Sequence, residues 1–198
     1  MENRDKIFEF LKQAEKLKCA FRYNTTTAGR KESSAEHSWG VALLVFVLAE
    51  EMKLKINTEK AIKIALVHDL AEAITGDIDA IKIAQGEVSK EEKHGLEVEA
   101  MEKIKESLPK ETGQEIYDLW NEYENSSSEE GEFAKAVDKL ETLTQLAEAG
   151  YTTYDKPQFI ADYTNKAIKD FPILEDYLLL VKEKLKEEFT KGNFTWQD

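Results

Sequence analysis

The sequence predicts an all-α protein with about seven helices. Apolar residues recur at helical spacing along much of the chain, for example at Ile7, Leu11 and Ala14. The 198 residues include only 9 glycines and 3 prolines, which is too few for the many turns of an all-β protein. Capping signals precede several of the periodic segments, and no segment alternates like a convincing strand.

Start signals define the first two helices. The first predicted helix covers about residues 4–18, and a polar loop follows at 24–32. A Ser-x-x-Glu capping box at Ser33 begins the second helix, which runs to about Met52. His37 therefore lies in the first turn of a helix that carries apolar residues for a buried face.

The later helices have similar boundaries. Asn57 or Thr58 caps the third helix, Gly76 ends it, and Ser89 begins a second capping box. Pro172 is expected to open the last helix, and the segment 78–88 fits either a short helix or a loop. We predict further helices at about 58–73, 89–107, 112–124, 129–149, from 157 onward and from 172 onward.

Size and composition bound the class of protein. The length fits a single domain, 1–198, with a core of about 17–150 and C-terminal helices at 157–191 packed on it. The net charge of −13 disfavours binding of long nucleic acids, which requires a basic face. No stretch approaches the roughly 18 apolar residues of a membrane span. The single cysteine, Cys19, is expected to be a buried thiol, and a cytoplasmic location follows.

An ordered series of metal-binding side chains is the main indication of function. The series is His37, then the adjacent pair His68 and Asp69, then Asp138. The pair lies in the apolar run 64–71, where an isolated carboxylate would cost several kcal/mol or take up a proton. A bound cation removes that cost, which favours a metal site over core or surface roles for these residues.

Charge and ligand count support one divalent ion. Two neutral imidazoles and two carboxylates carry −2, and four protein ligands leave a six-coordinate ion two open positions. Mixed nitrogen and oxygen ligands suit Mn, Co, Fe, Ni or Zn better than Ca or Mg. Glu72 follows His68 by four residues and Asp69 by three, so helical spacing places it one turn further on the same side.

The chain resembles the HD-domain metal-dependent phosphohydrolases. The order His, His-Asp, Asp on helices carries this resemblance, and so do four local segments. They look like the 5′-deoxynucleotidase branch, which includes the YfbR type and the HD-domain-containing protein 2 type. The segments are AEHS at 35–38, HDLAEA at 68–73, TGDI at 75–78 and VDKLE at 137–141.

The resemblance implies a helical bundle around a buried metal site and a role for each site residue. The metal ligands would be His37, His68, Asp69 and Asp138. It also implies that Glu72 activates or orients the attacking water, that Asp77 lies near the sugar and that Arg22 holds the phosphate. A small-molecule nucleotide, most simply a 5′-deoxynucleoside monophosphate, would be the substrate. Members of the family are often homodimers, so a homodimer is expected.

Several alternatives remain open at this stage. The same metal could serve phosphodiester or pyrophosphate hydrolysis, or the chain could sense nucleotides without catalysis. A plain helical interaction protein would bind no metal at all. Arg30, Lys31 or Lys139 could add a second cation, although a solvated surface role suits each of them. His94 is the only histidine of the sequence between the His-Asp pair and Asp138. This argues against a two-metal site that uses two extra histidines in that interval.

Overall fold

Helices dominate the computed structural model of this chain, which describes residues 2–78, 83, 86–170 and 172–197. The all-α prediction is confirmed, with three short 3-10 segments at Glu15–Cys19, Tyr151–Thr153 and Pro172–Leu174. The α-helices of the described ranges are α1 Asn3–Ala14, α2 Ser34–Glu51, α3 Thr58–Val67, α4 Glu72–Thr75, α5 Lys90–Ser107, α6 Lys110–Asn125, α7 Glu129–Ala149, α8 Pro157–Asp170 and α9 Glu175–Lys191.

A two-stranded hairpin lies where we expected only a polar loop. Strand β1 covers Phe21–Thr25 and pairs with β2, Lys31–Ser33. In the turn, the Thr26 amide donates to the Arg30 carbonyl at 2.8 Å, and Gly29 has a φ of 79°, which glycine adopts without strain. The prediction of no strand was wrong here, because the strands are too short to show a clear alternating pattern.

The helix starts follow the predicted capping signals. The Ser33 hydroxyl accepts from the Glu36 amide at 3.3 Å, and the Glu36 carboxylate accepts from the Ser33 amide at 3.0 Å. Ser89 and Glu92 make the same reciprocal pair at α5, and the Asn57 side chain caps α3. These bonds satisfy amide groups that a helix start leaves without helical partners, and they fix where α2 begins.

The third helix is shorter than predicted. It ends one residue before His68, whereas we expected one continuous helix through Glu72. His68 keeps helical backbone angles (φ −59°, ψ −38°), but the Leu70 and Glu72 amides donate to carbonyls three residues earlier, at 3.0 and 2.9 Å. Such three-residue bonding is the tight turn common at helix ends. His68 and Asp69 therefore lie at the end of a helix instead of inside one.

The chain divides into two compact units, residues 1–22 with 33–135 and residues 23–32 with 136–198. The first unit holds a buried cluster in which α5 and α6 pack against the turn that follows α3. Its fully packed members are Leu70, Ala71, Ala100, Met101, Ile104, Leu108 and Trp120. This packing anchors the turn that carries His68 and Asp69.

The second unit has its own buried aromatic and aliphatic side chains. The Tyr154 hydroxyl donates to the Leu146 carbonyl at 2.8 Å, and the Phe189 ring lies 4.8 Å from the Trp196 ring, centroid to centroid. A single domain over 1–198 remains a prediction. Within the described parts of the chain, no helix combines the length and apolar character needed to cross a membrane.

Some element boundaries also differ from expectation. Cys19 is exposed, so the expectation of a buried thiol was wrong. The first helix gives way to the 3-10 segment Glu15–Cys19, whose only buried residue is Leu17. Pro172 opens a 3-10 segment, and the last helix begins after it. The ambiguous segment 78–88 lies mostly outside the described residues.

Candidate metal centre

Three of the four predicted ligands lie together in the first unit. One ligand atom from each of His37, His68 and Asp69 lies within 4.8 Å of the other two. The Asp69 Oδ2 atom is 3.4 Å from His68 Nε2 and 3.9 Å from His37 Nε2. The two imidazole rings are buried and meet edge to face, with centroids 5.3 Å apart. This set of two nitrogens and one carboxylate oxygen suits a divalent metal ion.

The hydrogen bonds of His68 show which of its nitrogens faces the site. Its Nδ1 lies 2.8 Å from the Ala65 carbonyl, which can only accept, so we assign the proton to Nδ1. Within the described residues the buried Nε2 atom has no hydrogen-bond partner, and its lone pair faces the Asp69 carboxylate. The Tyr123 ring packs against the imidazole at 4.9 Å between centroids. A cation between Nε2 and the Asp69 carboxylate would separate the nitrogen lone pair from the negative charge of the oxygen. These residues therefore fit a metal ion.

Arg22 reaches the same carboxylate from strand β1. Its Nη1 atom donates to Asp69 Oδ2 at 2.9 Å, and both side chains are 16% exposed. The structure therefore brings Arg22 to the predicted ligands across 47 positions of sequence. A guanidinium has five N–H donors, so a contact to Asp69 is compatible with binding a phosphate group as well.

Glu72 is a buried carboxyl group beside the ligands. It begins α4, is 4% exposed, and its Oε2 atom lies 2.5 Å from the Ser34 hydroxyl, which is fully buried. Burial raises the pKa of Glu72 to about 9, and the charges of Asp69 and Asp77 add to the increase. The hydrogen bond from Ser34 and the charge of Arg22 oppose it. Glu72 thus holds a proton at neutral pH when no metal is bound.

Asp77 and Asp138 complete the set of predicted site residues. Asp77 is half-buried after Gly76, whose φ of 70° ends α4, and its charge acts on Glu72. Its role near a sugar stays a prediction. Asp138 lies on α7 in the second unit, next to the buried Val137, and its place among the ligands also stays a prediction.

Sequence reasoning missed three polar residues near this centre. Ser34 contacts Glu72 as described, and the charges of Lys93 and Glu97 both interact with that of Asp69. Burial raises the pKa of Glu97, which is 8% exposed. The only sequence signal for Lys93 and Glu97 is their spacing of four residues, which also occurs between charged residues on solvated helix faces.

A second group of possible ligands surrounds His94. Ligand atoms of His94, Glu97 and Glu124 lie within 4.8 Å of one another. His94 stacks on Trp120 at 6.1 Å between centroids, and its Nδ1 atom lies 3.4 Å from Glu124 Oε2. These packing and charge contacts account for His94, in line with its prediction as an ordinary helix residue.

Comparison with known proteins identifies the family. The HD domain profile matches residues 14–172, most of the chain. The chain belongs to the HD domain family. This confirms the HD-domain helical fold. A solved structure from Magnetospirillum magnetotacticum MS-1, described as a predicted metal-dependent phosphohydrolase, shares the fold with a TM-score of 0.77 at 24% identity, covering 94% of each chain.

Two relatives within the HD domain family carry the name 5′-deoxynucleotidase HDDC2. The Mus musculus protein is 40% identical over 119 residues, which is 60% of this chain and 56% of the relative. The Danio rerio protein is 36% identical over 146 residues, covering 73% of this chain and 70% of the relative. The chain thus spans just over half the length of the mouse protein.

Proposed function

We propose that this chain is a metal-dependent phosphohydrolase that removes phosphate from 5′-deoxynucleoside monophosphates. The observation that carries the proposal is the meeting of His37, His68 and Asp69 with Arg22 and the buried Glu72. The HD domain family and relatives named 5′-deoxynucleotidase support the reaction and the substrate class. A cytoplasmic location is proposed with it.

The metal would be one divalent transition ion, namely Mn, Co, Fe, Ni or Zn. His37, His68 and Asp69 would hold it, and we propose Asp138 as the fourth ligand. When bound, such an ion polarises a phosphoryl oxygen and lowers the pKa of water. The bare, buried Nε2 atom of His68 supports this assignment.

The protein side chains have separate tasks in this proposal. Arg22 binds the phosphate through guanidinium donors and keeps the Asp69 carboxylate in place. Glu72 accepts the proton of the attacking water, which requires its ionised form. Positive charge brought close to Glu72 lowers its pKa from about 9, so in the loaded site this form becomes accessible near neutral pH. Asp77 contacts the sugar hydroxyl groups.

A phosphate-release screen tests the proposal. The protein is loaded with Mn²⁺ or Co²⁺ and assayed on deoxy- and ribonucleoside monophosphates, cyclic nucleotides, ppGpp and dNTPs. We expect turnover of 5′-deoxynucleoside monophosphates and loss of turnover in Asp69→Ala. Full activity of Asp69→Ala, or no hydrolysis of any monophosphate, contradicts the proposal. Preferred hydrolysis of a diester or a pyrophosphate would move the reaction to that class.

We also propose that the enzyme is a homodimer. Four large apolar side chains on one face of α2 are exposed, although such residues are usually buried. Their spacing of four, three and one residues forms a continuous stripe on the helix. A self-complementary contact between two copies would bury this stripe. Its members are Trp39, Leu43, Phe46 and Val47.

A further inference from the structure

One lysine of α5 is drawn inward next to a buried carboxylate. Lys93 lies in the first turn of α5, and its Nζ atom is 3.4 Å from Oε1 of Glu97, one turn further along. The Lys93 side chain is 29% exposed, whereas Lys90 on the same turn is an exposed residue. An inward lysine gives up hydration, so a partner or a ligand must compensate for it.

Glu97 explains only part of this arrangement. Its side chain is 11% exposed in a helix that also buries Ala100 and Met101, and a buried carboxylate needs a nearby positive charge. Lys93 supplies that charge. An ammonium group has three N–H donors, however, and the contact to one Glu97 oxygen engages one of them.

The surroundings of Lys93 connect it to the metal centre. Helix α5 packs against α4, which carries Glu72. Burial lowers the pKa of Lys93, but the charges of Glu97, Glu72, Asp69 and Asp77 outweigh this effect and raise it overall. The ammonium group therefore stays charged and lies within electrostatic reach of three acidic residues of the centre.

A phosphate dianion approaching this centre needs more than one cation. Two imidazoles and two carboxylates would already balance a divalent ion, and Arg22 is engaged with Asp69. Glu72 and Asp77 add further acidic groups. Lys93 is a charged side chain of the same unit whose charge interacts with those of these acids, and it offers compact donors suited to phosphate oxygens.

We propose that Lys93 binds the phosphate group of the substrate and that Glu97 is the positioning residue that holds its ammonium group toward the metal centre. This role rests on the proposed phosphohydrolase function and names a second phosphate contact for it. The competing explanation is that Lys93 serves only as the counter-ion of Glu97.

Four variants separate the two explanations. Lys93→Met removes the charge and keeps the length of the side chain, but it leaves Glu97 unpaired. Glu97→Gln tests the positioning residue alone. The double variant Lys93→Met/Glu97→Gln removes both charges, so it leaves no buried carboxylate without a counter-ion. Lys90→Met is the matched control on the same helical turn. Each protein is loaded with Mn²⁺, and thermal unfolding confirms that it is folded.

Two readouts are used, namely steady-state kinetics and calorimetric binding of inorganic phosphate. For a lost charge-assisted contact we expect KM and the phosphate Kd to rise about 10- to 100-fold in Lys93→Met. The double variant should regain thermal stability while KM and Kd stay raised, because its phosphate contact is still missing. Glu97→Gln should raise KM less than Lys93→Met does, and Lys90→Met should match the wild type.

The outcomes distinguish failure of this role from failure of the proposed function. Normal KM and phosphate Kd in the double variant would show that Lys93 is only a counter-ion and would overturn the proposal. An active wild type whose Lys93→Met variant binds phosphate equally well would overturn it too. If the wild type hydrolyses no nucleotide but binds phosphate through Lys93, the proposed hydrolase function is contradicted while the phosphate contact of Lys93 stands. No phosphate binding by the wild type would overturn the contact itself.

Discussion

Replacement of Glu72 by glutamine gives a direct test of the electrostatics of the centre. The pKa of Glu72 rises from the usual 4.5 to about 9 in the folded protein without metal. The stability that Glu72 contributes is therefore complete below about pH 4.5 and is lost as the pH rises toward 9. Each pH unit in this window costs the folded state about 1.4 kcal/mol. Between about pH 6 and pH 8 the wild type should lose about 3 kcal/mol through this group.

Glutamine has nearly the same shape as the protonated acid and does not titrate. Urea unfolding of the chelated proteins at several pH values should give a steeper decline for the wild type than for Glu72→Gln. The substitution changes one ionisable side chain and leaves all others in place, so the difference between the two curves isolates Glu72. Parallel curves between about pH 6 and pH 8 would mean that Glu72 ionises like an ordinary carboxyl group, and the burial argument would be wrong. Mn²⁺ should shrink the difference, because nearby positive charge lowers the pKa.

Three further predictions concern the metal, the phosphate and the dimer. His68→Ala and Asp138→Asn should each weaken Mn²⁺ binding by at least about 100-fold in calorimetry. The control His94→Gln should bind one ion per chain like the wild type. Unchanged Mn²⁺ affinity in Asp138→Asn would remove Asp138 from the ligand set. Arg22→Met should raise KM for monophosphates about 10- to 100-fold while metal is retained, and an unchanged KM would separate Arg22 from the phosphate. Phe46→Glu places a charge in the apolar stripe of α2, so sedimentation should show monomers; a monomeric wild type would contradict the dimer.

Local signals in the sequence were sufficient for the start of α2 and for the burial of His68. The capping box at Ser33 fixed the start of α2 and hence the first-turn position of His37. The apolar run around His68 and Asp69 predicted burial, and the imidazole of His68 is indeed buried. Both inferences depend on residues within about one helical turn of each other, which is the range over which sequence patterns carry structural information.

Contacts between distant segments could not be predicted from spacing. The Ser34 hydroxyl meets Glu72 across 38 positions, and the capping box that identifies Ser33 gives no signal for this contact of its neighbour. Lys93 and Glu97 have the spacing of an ordinary solvated pair. Their charges interact with that of Asp69 in the folded protein, where α5 packs against α4. The hairpin was missed because its pairing joins two short polar strands, for which tertiary context outweighs intrinsic propensity.

In the proposed enzyme, the shared oxygen of Asp69 should couple metal binding to phosphate binding. Oδ2 accepts from Arg22 at 2.9 Å and is also the carboxylate atom that lies nearest to the imidazoles of His68 and His37. Arg22 therefore partly compensates the charge of Asp69 before a metal arrives. Positive charge added at the imidazoles weakens the hold of Asp69 on Arg22, since both compete for the same lone pairs. Arg22 then becomes more available to a phosphate, so the two ligands should bind with positive cooperativity.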